Sequence, residues 1–103
     1  MPDPASLRSA AFVIPPDHPA LAGHFPGRPI VPGVVLLDSV GVAARTVFAL
    51  GEPSGLPRAK FAAPVLPGEE VRIAFERRGT ARVAFTLSVG ERAVARGDMA
   101  FAP

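Results

Sequence analysis

Residues 33–50 read GVVLLDSVGVAARTVFAL, a run that leaves few folds open. Val34, Leu37, Val40, Gly41, Ala44, Val47 and Phe48 recur at the three- and four-residue intervals that stack side chains along one face of a helix. The opposite side holds Val35, Leu36, Val42 and Ala43, so it is hardly more polar. A helix that is apolar nearly all round has to be covered by other parts of the protein. Asp38 and Arg45 interrupt the run, which is also too short to cross a bilayer. The expected helix starts at Gly33 and ends near Leu50, where Gly51 supplies a C-terminal stop.

The rest of the chain supplies strands to cover it. Residues 70–78 (EVRIAFERR) alternate, with Val71, Ile73 and Phe75 on one face and Arg72, Ala74 and Glu76 on the other. Residues 82–89 (RVAFTLSV) repeat the pattern through Val83, Phe85, Leu87 and Val89. Residues 92–101 form a last strand, in which Gly97 marks a bulge or a close backbone approach. Gly79-Thr80 and Gly90-Glu91 mark the turns between strands. Residues 9–14 (SAAFVI) form a first strand, stopped at Pro15-Pro16 because proline cannot donate to a ladder; residues 57–64 alternate only loosely. This order implies an α+β fold, an antiparallel sheet wrapped around one long buried helix. At 103 residues and 49% hydrophobic, residues 1–103 are expected to form a single domain, small enough that association with a further chain favours stability.

Composition removes several classes of function. There is no cysteine, so disulfides and thiolate metal sites are excluded. The formal charge is only +2, and Tyr and Trp are absent, so the aromatic and basic interleaving that stacks nucleic-acid bases is missing; nucleic acid is not an expected partner. Eight of the 11 basic residues fall at or after Arg58, as solvated outer faces of strands or as a docking surface for an acidic partner. The opening residues MPDPASLRSA contain no apolar segment of the signal-peptide kind, so a cytoplasmic protein with no membrane contact is expected.

The candidate chemistry lies in residues 23–38, GHFPGRPIVPGVVLLD. Six of the 13 prolines lie between Pro15 and Pro32, which makes 17–32 a shaped loop rather than a floppy one. His24 in that loop suits a general base, since imidazole exchanges protons near neutral pH, although a histidine beside a Phe-Pro turn can also simply pack. Asp38 falls five positions after Gly33 in a helix expected to be buried. A carboxyl there either finds a hydrogen-bonding partner as a structural residue or holds its proton and serves as an acid. Gly33 at the helix start leaves backbone N–H groups at the positive end of the helix dipole, where a carbonyl developing negative charge would sit. Together these are parts for removing a proton α to a carbonyl. Asp17, His18 and His24 match no metal-ligand spacing, so no metal is expected and His18 is read as a surface loop residue. Ser39 is read as a helix residue bonded within its own turn.

The same stretch resembles the signature of the 3-hydroxyacyl-acyl-carrier-protein dehydratases, the FabA/FabZ-like enzymes of the hot-dog fold. His, Phe-Pro-Gly, Pro-Gly and the acid all fall at that family's spacing. Similarity continues through KFAAPVLPGEEVRI (60–73) and VGERAVARGDMAF (89–101), so it covers roughly residues 12–101. Aspartate is the acid of the FabA branch, whereas His-Phe-Pro-Gly is the FabZ-like form. The chain most resembles the small stand-alone dehydratases of secondary pathways, such as aryl-polyene clusters.

The resemblance implies a hot-dog fold and dehydration of a (3R)-3-hydroxyacyl thioester to the trans-2-enoyl thioester, in fatty-acid or polyene-type lipid biosynthesis. It implies His24 as base at the α-carbon, Asp38 as acid at the departing β-hydroxyl, and the Gly33 amide as the group polarising the thioester carbonyl. In that family the histidine and the acid of one site come from different subunits. A homodimer with shared sites follows by analogy, or a heterodimer with a paralogue. The family also tends to hold the His–Phe peptide, here His24–Phe25, in the cis form. The substrate arrives on phosphopantetheine, from acyl carrier protein or coenzyme A, and no further cofactor is implied. Phe25, Val31, Val34 and Val35 are the expected tunnel walls, with ordinary packing the alternative for each. Arg28, Arg58 and Lys60 are expected to meet the carrier's acidic helix or the phosphate of its prosthetic arm, with plain solubility the alternative. Two other functions suit the same fold. One is an acyl-thioester hydrolase in which Asp38 activates water; the other is a weakly catalytic subunit that binds an acyl carrier or steadies an active paralogue. His24 in its His-Phe-Pro-Gly loop favours dehydration over hydrolysis.

Overall fold

The computed structural model describes residues 6–21 and 30–102, which form β1 (Leu7–Val13), α1 (Gly33–Phe48), β2 (Pro53–Phe61), β3 (Glu70–Arg77), β4 (Arg82–Val89) and β5 (Arg92–Phe101). The strands make one antiparallel sheet in the order β1-β3-β4-β5-β2. β4 and β5 span the residues expected of them, 82–89 and 92–101. Gly90, with φ of 57°, takes the first central position of the two-residue turn between them, where Val89 faces Arg92. β3 stops at Arg77, one residue early, and the next turn is closed by the Arg78 N–H donating to the Arg82 carbonyl at 2.7 Å.

The edge strands depart further from expectation. β1 starts at Leu7 instead of residue 9, because Leu7 and Arg8 find ladder partners in Glu76 and Phe75, and it ends at Val13. β2 covers Pro53–Phe61 instead of 57–64, since its register follows β5, from Pro53 opposite Phe101 to Phe61 opposite Ala95. Proline is tolerated at positions 53 and 57 because β2 is an edge strand. α1 ends at Phe48, short of Leu50, because Ala49 takes left-handed backbone (φ 54°, ψ 47°). Gly51 is therefore not the helix stop. It lets the C-terminal segment pass: a methyl group there would lie 2.7 Å from the Ala102 carbonyl oxygen, and the Ala102 N–H donates to the Glu52 carbonyl at 2.8 Å.

The core lies between one face of α1 and one face of the sheet. Leu36, Val40, Ala44 and Phe48 pack with Val71, Ile73, Phe75, Val83, Phe85 and Leu87. The Phe48 and Phe75 rings meet edge to face, with centroids 6.0 Å apart. The helix is not buried all round, as its composition alone predicts: Val34 is 69% exposed and Val42 66%. One sheet reaches only one side of a helix, and the side bearing Val34, Asp38 and Val42 is left open.

Between β2 and β3 the chain makes a tight turn, Leu66-Pro67-Gly68-Glu69. Proline second, a glycine with φ of 87° third, and the Glu69 N–H donating to the Leu66 carbonyl at 3.2 Å are the marks of a type II turn. Glu69 Oε1 accepts from the Leu66 N–H and from Arg92 Nη2, both at 2.7 Å. The Arg92 bond, then the Leu66 amide, hold the Glu69 carboxyl below its ordinary 4.5.

Two outcomes follow from this packing. At Gly97 the register is unbroken, so close approach rather than a bulge explains the glycine: a methyl group would run into the Arg58 carbonyl and lie 2.9 Å from the Phe85 ring. Gly97→Ala is expected to destabilise the protein by about 1–3 kcal/mol, whereas Gly55→Ala, with nothing within 4 Å, stays within about 0.5 kcal/mol in denaturant titration. Equal midpoints would remove the close-approach account. For Glu69 the folded carboxyl titrates below the unfolded value of 4.5, so its contribution is complete above 4.5 and fades as pH falls through the lower folded value. Thermal melts of wild type and Glu69→Gln should differ near neutrality and converge in acid; a constant separation at every pH would contradict the assignment.

Candidate active site

α1 begins at Gly33 with Pro32 as its cap residue (φ −59°, ψ 144°), and no side chain caps the helix. The Val35 N–H donates to the Pro32 carbonyl at 3.0 Å. Among the described residues the Gly33 and Val34 amides have no hydrogen-bond partner, so the positive end of the helix dipole is unsatisfied there. The ring of Phe61, at the end of β2, lies against this point. A methyl group on Gly33 would sit 3.0 Å from Phe61 Cζ, so a side chain here would push the exposed ring aside by a few tenths of an ångström. The sequence reading missed Phe61; its only local signal is an aromatic at the end of a loosely alternating strand.

Asp38 is exposed, not buried as the apolar run predicts, because it belongs to the open side of α1. It makes no ion pair or hydrogen bond with any described residue. It lines a groove of about 540 Å³ between α1 and β2, with Val34, Leu37, Val42, Leu56 and Met99 among its apolar walls. Neighbouring Ser39 donates from Oγ to the Val35 carbonyl at 3.1 Å, the local bond expected of it. Of the expected wall residues, Val34 lines this groove, while Val31 and Val35 are buried in the core. His24, Phe25, Arg28 and the His24–Phe25 peptide lie outside the described residues.

A second groove, of about 630 Å³, lies on the sheet face turned away from α1. Arg58, Lys60, Arg78 and Arg96 surround a floor that includes Ala84 and Gly97. Lys60 faces Arg96 directly across the β2–β5 ladder, a like-charge pair that costs energy unless an anion lies between them. Among the described residues Arg58, Lys60 and Arg96 have no carboxylate partner. The buried Asp98 pairs with Arg82 at 3.9 Å. Arg58 and Lys60, two residues apart on β2, both line this groove, and cross-strand register sets Arg96 beside them, with Asp98 also in the lining.

Among the described residues there is no cluster of three His, Cys, Asp or Glu side chains suited to a metal, and no helix is long and apolar enough to cross a membrane.

A family model described as ApeI-like, ApeI dehydratase, matches residues 4–98 of the chain. A relative from Symbiobacterium thermophilum, the 3-hydroxyacyl-[acyl-carrier-protein] dehydratase FabZ, is 33% identical over 99 residues, a match covering 84% of this chain and 69% of the relative. The dehydratase heterocomplex ApeI:P from Xenorhabdus doucetiae contains a chain that superposes with a TM-score of 0.81 at 22% identity, over 96% of this chain and 89% of that one. The fluoroacetyl-CoA thioesterase FlK superposes with a TM-score of 0.64 at 15% identity, over 93% and 83% of the two chains. These structures share the hot-dog fold, the antiparallel sheet about one long helix. A dehydratase and a thioesterase both use it, so the chemistry has to be argued from side chains.

Proposed function

The chain belongs to the ApeI-like dehydratase family, and on that footing we propose that it removes water from a (3R)-3-hydroxyacyl thioester on acyl carrier protein, giving the trans-2-enoyl thioester for fatty-acid or polyene-type lipid synthesis. One observation carries the assignment of the acid. Among the described residues Asp38 has no ion pair or hydrogen bond, and it lies in a largely apolar groove, which Arg45 and Glu52 also line, on the side of α1 that its own sheet leaves uncovered, where a carboxylate serves neither core nor cap.

The reaction runs in one site built from base, acid and amide. The Gly33 N–H donates to the thioester oxygen and stabilises the charge that gathers there as the α-carbon is deprotonated. The His24 imidazole takes the α-proton, and the electron pair of that C–H bond becomes the new C2–C3 π bond. The C3–O bond breaks, the protonated Asp38 carboxyl gives its proton to the departing hydroxyl, and water leaves. Return of a proton from the imidazolium to the carboxylate resets the site. Phe25 and Val34 form the walls beside the reacting carbons, with Val31 and Val35 packed behind them. The phosphopantetheine arm comes with the substrate, and these steps call on no other cofactor.

We infer a homodimer, residues 1–103 of each copy forming one domain, in which His24 of one copy meets Asp38 of the other. Covering Val34, Val42 and Leu56 stabilises such an assembly by about 1 kcal/mol each, and the free edge of β2 offers ladder groups for a second copy. The carrier's acidic face docks in the basic groove at Arg58 and Lys60, with Arg28 as a third contact, and the reaction belongs to the cytoplasm.

His24→Ala and Asp38→Asn are each expected to lower the dehydration rate by about 100- to 10,000-fold, followed by enoyl absorbance with free thiol monitored in parallel. Release of thiol without enoyl product would turn the assignment to hydrolysis, and full activity in either variant would remove that residue's role. Mixed after unfolding and refolding together, the two variants should regain activity that neither has alone, through sites completed across the dimer. Arg58→Glu with Lys60→Glu is expected to raise KM for carrier-bound substrate by about tenfold or more while an N-acetylcysteamine thioester is turned over as by wild type. An unchanged KM would place docking elsewhere.

A further inference from the structure

The Leu66–Glu69 turn lines neither groove, yet the turn and Val65, the residue directly before it, are bonded to the described residues on both flanks of the segment in which His24 lies. Before that segment, the Ile14 carbonyl accepts from the Gly68 N–H at 2.8 Å. After it, the Val31 N–H donates to the Val65 carbonyl at 2.8 Å, one residue ahead of Pro32 and the helix start at Gly33. Ile14, Val31 and Val65 are all buried, so these bonds are shielded from competing water. The type II turn supplies the geometry, because its central peptide turns the Gly68 N–H away from the turn and toward Ile14.

Apolar packing fixes Val65 just before the turn but not the turn itself, where Leu66 is exposed. What ties it down is the Glu69 carboxylate, bonded to the Leu66 N–H inside the turn and to Arg92 Nη2 at the start of β5. One side chain thereby links the central part of the sheet to the two fixed points, Ile14 and Val31, that frame residues 15–30.

We propose that Glu69 is a positioning residue of the proposed active site, its carboxylate, clasped by Arg92, setting the turn that fixes Ile14 and, through the adjoining Val65, Val31 and the start of α1. This rests on reading residues 23–38 as the site. Glu69 touches no substrate and acts through the turn. Displacement of reacting groups by an ångström costs up to about a hundredfold in rate, so a loosened clasp is read in turnover before it is read in binding.

The test uses the full chain with Glu69→Ala, Glu69→Gln and Arg92→Ala, and an N-acetylcysteamine 3-hydroxyacyl thioester as substrate. Glu69→Ala should lower kcat between about ten- and hundredfold with KM within about twofold. Glu69→Gln, whose amide oxygen can accept the same two bonds, should recover most of that loss, and Arg92→Ala should fall between them. Amide hydrogen exchange at Val31 and Gly68 should quicken in Glu69→Ala while β3 and β4 amides keep wild-type protection. Unchanged kcat, a loss that Glu69→Gln does not recover, or unchanged exchange at Val31 and Gly68 would each overturn the proposal. If Glu69→Ala fails to fold, Glu69→Gln and Arg92→Ala decide by the same readouts. If wild type dehydrates no thioester, the functional reading above fails by itself, and the exchange measurement still decides whether Glu69 holds the turn.

Discussion

A single sheet covers one side of a helix, and this helix is apolar on both. That mismatch governs the rest of the structure. The buried side, Leu36, Val40, Ala44 and Phe48, joins the inward residues of β3 and β4 in the core. The other side, with Val34 and Val42, has no cover of its own. Asp38 sits in the middle of it, so the acid is kept out of the core, where an unpaired charge would be costly, yet is bordered by apolar side chains. A second copy laid over that face would desolvate the carboxyl only when the assembly forms. Stability and chemistry would then depend on the same contact.

The two sheet faces divide the work by charge. The inner face is apolar and turned toward α1, and its outer face carries long cationic side chains over a floor that includes Ala84 and Gly97. Gly97 serves both faces: without a side chain it lets β2 approach β5 closely, and that approach sets Lys60 opposite Arg96. Within that strip Arg78 pairs with Glu76 and Asp98 lies across the ladder from Arg58, while Arg58, Lys60 and Arg96 make no ion pair with a described carboxylate, in contrast to Arg45, Arg72 and Arg92, which pair with Glu52, Glu70 and Glu69.

The segment between β2 and β3, with its tight turn, ties together residues from either side of positions 15–30. The Ile14 carbonyl and the Val31 N–H are bonded to Gly68 and Val65, and Ile14, Val31 and Val65 are themselves part of the core. Proline and glycine in that turn are there for backbone reasons: the first presets φ, and the second takes the left-handed backbone that exposes an amide to Ile14.

Much was legible in the chain itself. The period of two in β3 and β4, the glycines of their turns, the helix start at Gly33 and the local bond of Ser39 are properties of neighbouring residues, and neighbours suffice to read them. Only the tertiary structure decided the limits of β1 and β2, the open side of α1, the exposure of Asp38, the ring of Phe61 over Gly33 and the facing of Lys60 and Arg96. Each of these depends on register between segments far apart in sequence. Register is set by the sum of all cross-strand pairings and by how much of the helix one sheet can reach, quantities that no short window of residues contains.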